Sequence, residues 1–204
     1  VGAVVRGNFF TLDVTAVRAA ARKLPWVDQV SVRRLWPDTL RMQVLEQVVF
    51  ARWGERQLVN PRGDVFEPAP QQIPEGLPTL HGPEGSGSRV VQRFRDMRTR
   101  LAPLGLEIEQ LTQDARGAWR LVFRQGLELA LGNADTERRL QRFVQIYPRL
   151  RDQQGRQLKR IDLRYTNGFA VHWEPVAAGL GNDQTSAAGN GAQQGATRHG
   201  RGRV

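Results

Sequence analysis

The 204-residue sequence predicts an α+β fold, and three observations carry that expectation. Apolar residues recur at helical spacing in three separate segments, and between those segments they alternate with polar residues in short runs. The runs are joined by turn-forming residues, with Asn167-Gly168 as the strongest hairpin signal in the chain.

In chain order, Asp13 caps a helix whose Val14, Val17, Ala21 and Leu24 share one face before Pro25 stops it. Val30 and Val32 alternate with Ser31 and Arg33, Trp36-Pro37-Asp38-Thr39 turns the chain, and Leu40, Met42 and Val44 alternate back as a hairpin. Short strands are expected at Phe50 to Trp53, Gln57 to Val59 and Val65 to Phe66, the last two joined by an Asn60-Pro61-Arg62-Gly63 turn. Residues 68–83 read as a proline-rich connection without periodicity. Val90, Phe94, Met97 and Leu101 then define a second amphipathic helix.

Trp119, Leu121 and Phe123 alternate with Arg120, Val122 and Arg124, and after Gln125-Gly126 the pattern returns through Leu127, Leu129 and Leu131. Asp135 caps a third helix carrying Leu140, Phe143, Val144 and Tyr147, which Pro148 is expected to kink or end. Ile161 and Leu163 open the last strand pair, and Phe169 to Trp173 is its second arm. Beyond Pro175 the composition turns to Gly, Ala, Gln, Asn and Ser, which cannot build a core, so 176–204 is expected to be a disordered tail.

Composition narrows the function. The formal net charge is +10, yet the arginines are spread over nearly every segment instead of lying in one stripe, so no nucleic-acid partner is expected. With no cysteine, thiol catalysis, disulfides and thiolate metal sites are excluded. His81, His172 and His199 stand far apart without ligand spacing, and Gly82, Gly85 and Gly87 lack the Gly-Lys-Ser/Thr ending of a phosphate loop. No metal, no cofactor and no catalytic residue is therefore expected, and the chain is read as non-enzymatic. No apolar run is long enough to span a bilayer, and the chain opens on Val1, so a membrane or targeting segment is expected upstream.

Leu24-Pro25-Trp26-Val27, Val30 to Arg34, Trp36-Pro37-Asp38 and Leu40 resemble the POTRA (polypeptide-transport-associated) domain of the FtsQ/DivIB cell-division family. Downstream, the likeness continues in order through Ala51-Arg52-Trp53, Asn60 to Phe66, Gly82 to Ser86, Arg142-Phe143-Val144 with Tyr147-Pro148, and Asp162 to Tyr165 with Gly168 and Trp173. These pieces resemble the family's second, or β, domain. The implied division is an N-terminally incomplete POTRA-like domain over 1–47, a larger mixed β domain with two helices over 48–175, and the tail over 176–204.

The resemblance implies a scaffold without catalytic activity. It would be anchored once in the inner membrane, with these domains in the periplasm at the division septum. It would bind the division proteins FtsB and FtsL, with other divisome members at the POTRA domain, and so help control septal wall synthesis. The family's contact positions fall here on Arg116, Ile146, Tyr147, Arg164, Tyr165, Asn167, Gly168, Phe169, Ala170, His172 and Trp173. Trp119, Phe143, Tyr147 and Trp173 suit either the core or a partner contact, whereas Trp26 and Trp36 suit packing. The alternative is a POTRA-type component of a protein transport or outer-membrane assembly system, which would use the same sheet-edge binding on another client.

Overall fold

The structure is a computed structural model and describes residues 13–151, 156–165 and 168–175. The expected turn residue Asn167 and the expected tail lie outside these residues, as do the first twelve positions.

Helix α1 (Val14–Arg22) starts where the Asp13 carboxylate accepts a hydrogen bond from the Thr15 amide at 2.8 Å. It ends before Leu24, which is 45% exposed and does not join the apolar face as the spacing suggested. Val17 and Ala21 pack instead on Val30 and Val32 of an antiparallel pair, β1 (Val27–Leu35) and β2 (Thr39–Glu46). The turn between these strands contains a cis Trp36–Pro37 peptide. Trp36 was expected to pack, yet it is 81% exposed, because the hairpin runs on past its last buried residue, Val32.

The remaining strands among the described residues form one nine-stranded mixed sheet in the order β11-β10-β9-β8-β7-β6-β3-β4-β5. Its first part is β3 (Ala51–Trp53), β4 (Gln57–Val59), β5 (Val65–Phe66) and β6 (Thr79–His81). The second is β7 (Ile108–Gln113), β8 (Trp119–Phe123), β9 (Glu128–Gly132), β10 (Arg156–Asp162) and β11 (Ala170–Pro175). Helix α2 (Gly87–Leu101) connects the parallel strands β6 and β7, and α3 (Thr136–Arg151) connects the parallel strands β9 and β10. Such crossovers put helices on a face of the sheet.

Phe94, Met97 and Leu101 from α2, and Leu140 and Phe143 from α3, fill a core against Leu80, Leu111, Leu121, Phe123, Leu129 and Ile161. Phe123 and Phe143 stack with centroids 6.2 Å apart, so β8 and α3 meet through two fully buried rings. Trp119 is buried as well, and Arg93 reaches over its ring.

Three sequence expectations need correction. Residues 68–83 are not a bare connection, since they hold a short 3-10 turn at Pro70–Gln72 and strand β6. Strand β7 was not anticipated at all. β10 begins at Arg156, five residues before Ile161.

Candidate partner-binding edge

β11 closes one end of the large sheet and pairs with β10 alone among the described residues. Its register sets Leu158 opposite Trp173, Arg160 opposite His172, Ile161 opposite Val171 and Asp162 opposite Ala170, with an irregularity between Leu158 and Arg160. Val171 and Leu158 lean on the core, whereas Ala170 and His172 are exposed, so alternate residues of β11 serve opposite faces. Trp173 is half-buried on the same side as Val171. Phe169, just before the strand, is 38% exposed, and Tyr165, three residues after β10, is 58% exposed.

The loop that feeds this edge is anchored from beneath. Arg139 of α3 donates through Nη1 to the Leu131 carbonyl at 2.7 Å and through Nη2 to the Arg164 carbonyl at 3.1 Å. Arg142, one helical turn on, donates to the Gly168 carbonyl at 3.3 Å. Neither arginine was singled out as a site residue. The sequence signal was a pair of arginines at i and i+3 on the polar side of an amphipathic helix, which by itself reads as solvated surface.

Asp162, at the end of β10, is 8% exposed and meets the Arg164 side chain through two bonds from Nε, at 2.9 and 3.0 Å, and one from Nη2 at 2.6 Å. The hydrogen bonds from Arg164 hold the Asp162 carboxyl below the usual carboxylate range against the opposing effect of burial. The Arg164 guanidinium thus already has an acidic partner within the chain, and its outer side stays open, 58% of the side chain being exposed.

The other expected contact positions are distributed unevenly. Tyr147 is 7% exposed and tilted against Phe143 with centroids 5.3 Å apart, and burial raises its phenol pKa. Ile146 is half-buried against the core. Arg116 sits in the β7–β8 turn, which the Asp114 carboxylate fixes by accepting from the Arg116 and Ala118 amides at 2.9 and 2.8 Å. The Arg116 carbonyl accepts from Asn133, just after β9, at 3.2 Å. An open hollow of about 440 Å³ lies between this turn and Arg164, lined by Asp114, Ala118, Arg120 and Gly132 among others. Ala170, His172 and Trp173 thus lie on β11, with Gly168 and Phe169 just before it, whereas Arg164 and Tyr165 follow β10, and Arg164 lines the hollow that Asp114 and Ala118 of the Arg116 turn also line.

No group of His, Asp and Glu among the described residues has the arrangement of a metal site. None of their helices is long and apolar enough to cross a membrane.

A helix-and-hairpin unit followed by a helix-backed mixed sheet, whose end strand β11 has one neighbour among the described residues, defines a two-part α+β class of protein. Family comparison then identifies it. Residues 2–47 match the POTRA domain, FtsQ-type, and residues 51–164 match the C-terminal region of cell division protein FtsQ/DivIB. The chain is 36% identical over 170 residues to Cell division protein FtsQ of Coxiella burnetii, a match covering 83% of this chain and 70% of the relative. It is 39% identical to that of Escherichia coli, covering 83% and 63%, and 40% identical to that of Xanthomonas campestris, covering 81% and 59%. These matches span about 59–70% of the lengths of the three relatives. The chain belongs to the FtsQ/DivIB family of cell-division proteins.

Proposed function

We propose that the chain is a non-enzymatic divisome scaffold that captures an extended segment of FtsB along the outer edge of β11, and so links FtsB and FtsL to the control of septal wall synthesis. Further divisome partners dock on the POTRA domain. An upstream helix anchors the protein once in the inner membrane, with these domains in the periplasm at the septum.

The observation that supports this reading most is the position of β11, at the end of the sheet with one neighbour among the described residues. A strand so placed offers its free N–H and C=O groups to an incoming peptide. Phe169 and Tyr165 supply apolar contacts beside it, and the exposed side of Arg164 gives an acidic residue a charged hydrogen-bond donor. Arg116, across the hollow, gives a second.

Titration of an FtsB C-terminal peptide against the chain tests the reading. Ala170→Pro removes a backbone donor from β11 and Arg164→Glu reverses the charge. Each is expected to weaken binding at least about tenfold while circular dichroism stays unchanged. Unchanged affinity in both variants, with the fold intact, excludes this edge.

A further inference from the structure

We propose that the tip of the β1–β2 hairpin is a membrane-surface contact for anionic lipid, a site separate from the β11 edge. The apolar wedge is Leu35-Trp36-Pro37, with Leu35 37% and Trp36 81% exposed. Arg33 and Arg34 stand directly behind it on β1, and Arg41, opposite Arg33, stands behind it on β2. All three are exposed, and Asp38 is the single acidic residue among positions 33–41.

The shape of the unit directs this tip. Nine residues of α1 rise about 13.5 Å, whereas nine residues of β1 extend about 30 Å. The hairpin therefore outruns the helix it packs on by roughly 15 Å, and residues 33–39 are all exposed. Its base faces the large sheet. Trp26 donates to the Gln72 side chain at 2.8 Å, Asp28 pairs with Arg62, and the Gln47 side chain accepts from Asn60 at 3.0 Å. The tip lies at the opposite end from this junction. Because residues 23–26 reverse the chain between α1 and β1, it lies at the end of the unit where α1 begins. The inference rests on the reading proposed above, in which the protein is anchored in a membrane and these domains lie beside it.

Two features select lipid over an acidic protein. A projecting tip of three apolar residues offers far less area than the roughly 800 Å² per partner of a stable protein interface. The residues are also ordered by depth, with Leu35 and Trp36 beside Asp38 at the extremity and the guanidinium groups of Arg34, Arg33 and its cross-strand partner Arg41 behind them. That order matches acyl-chain boundary and phosphate headgroups, where Trp and Arg settle.

The test is co-sedimentation of the chain with vesicles of phosphatidylglycerol and phosphatidylethanolamine, with phosphatidylcholine vesicles as the neutral comparison. Binding to the anionic vesicles is expected to fall about tenfold, or 1.4 kcal/mol, in Trp36→Ser and in the double variant Arg33→Glu, Arg41→Glu. Reversal of two exposed helix arginines, Arg89→Glu with Arg138→Glu, should leave most of it. Lipid brominated on its acyl chains should quench part of the wild-type indole fluorescence and less of that of Trp36→Ser. Equal binding by the tip variants and the control would overturn the proposal, since general positive charge would then suffice, and so would no binding to anionic vesicles. The tip variants should keep wild-type affinity for the FtsB peptide. Loss of peptide binding by Ala170→Pro and loss of vesicle binding by Trp36→Ser therefore succeed or fail independently.

Discussion

The Arg164 guanidinium closes on the carboxylate of Asp162 two residues before it, with three bonds of 2.6–3.0 Å, and a further 3.0 Å bond runs from the Arg164 amide to the same carboxylate. Asp162 is thereby buried as a charged group at the point where β10 gives way to the loop leading to β11. Its carboxyl is held below the ordinary range chiefly by these bonds.

A pH dependence follows. A carboxyl whose folded pKa is depressed contributes stability that is complete above its unfolded value, about 3.9, and is lost as pH falls through the lower folded value. Asp162→Asn should therefore lower the melting temperature at neutral pH. The gap to wild type should narrow once the pH drops below about 4, because protonation then leaves the wild-type side chain as uncharged as the amide of the variant. A gap that stays constant down to the acid limit would show that the pair contributes nothing through charge.

The stacked pair of Phe123 and Phe143 predicts the most costly single truncation. Both side chains are fully buried, and Phe143 also meets Tyr147. Phe143→Ala leaves a cavity between α3 and β8 and should cost about 3–5 kcal/mol in denaturant unfolding. A loss below about 1 kcal/mol would mean that the core collapses around the gap.

Gly63 predicts a backbone-limited site. It ends the Asn60 turn with φ of 94°, and a Cβ there would come within 2.2 Å of the Ser88 backbone at the start of α2. Gly63→Ala combines left-handed strain with a clash against a helix, and should destabilise by about 2 kcal/mol or more. Thermal unfolding of the variant decides it.

Much of this architecture was legible in the sequence, and what was not has identifiable causes. In β1 and β8 the buried residues alternate, and in β2 the half-buried Leu40 and Met42 do so too, each beside a short turn, so period and turn chemistry agree. β7 escaped because an irregularity between Ile108 and Gln110 breaks the alternation, leaving its inward residues Ile108 and Leu111 three positions apart. The first half of β10 escaped because it lies next to the sheet edge with Arg156, Gln157 and Arg160 exposed, so little apolar pattern remains. β6 is three residues among prolines and glycines, and its pairing is parallel on both sides, set by contacts far away in sequence. At the edge, the strand itself was visible from its flanking turn. The support from Arg139 and Arg142 was not, because an arginine donating to a distant carbonyl looks in sequence like one facing water.

The junction between the small unit and the large sheet gives the last prediction. The Trp26 ring meets Phe66 edge-on with centroids 5.5 Å apart while its indole N–H donates to Gln72. Beside it Asn60, 1% exposed, donates to Gln47 and Asp64 and accepts from the Arg62 and Asp64 amides, both at 2.9 Å. This fixes the turn from which Arg62 reaches Asp28. An aromatic contact and a hydrogen bond of this kind are together worth about 2 kcal/mol. The contacts lie at the boundary, so their loss should act on the relation between the two parts more than on either core. Trp26→Ala combined with Arg62→Ala is accordingly expected to raise amide exchange in β1, β2 and the Asn60 turn. Exchange in β8 and β9, which lie on the other side of the sheet, should stay as in wild type. Faster exchange spread evenly over both sheets would instead mean that the junction residues support the whole fold as one cooperative unit.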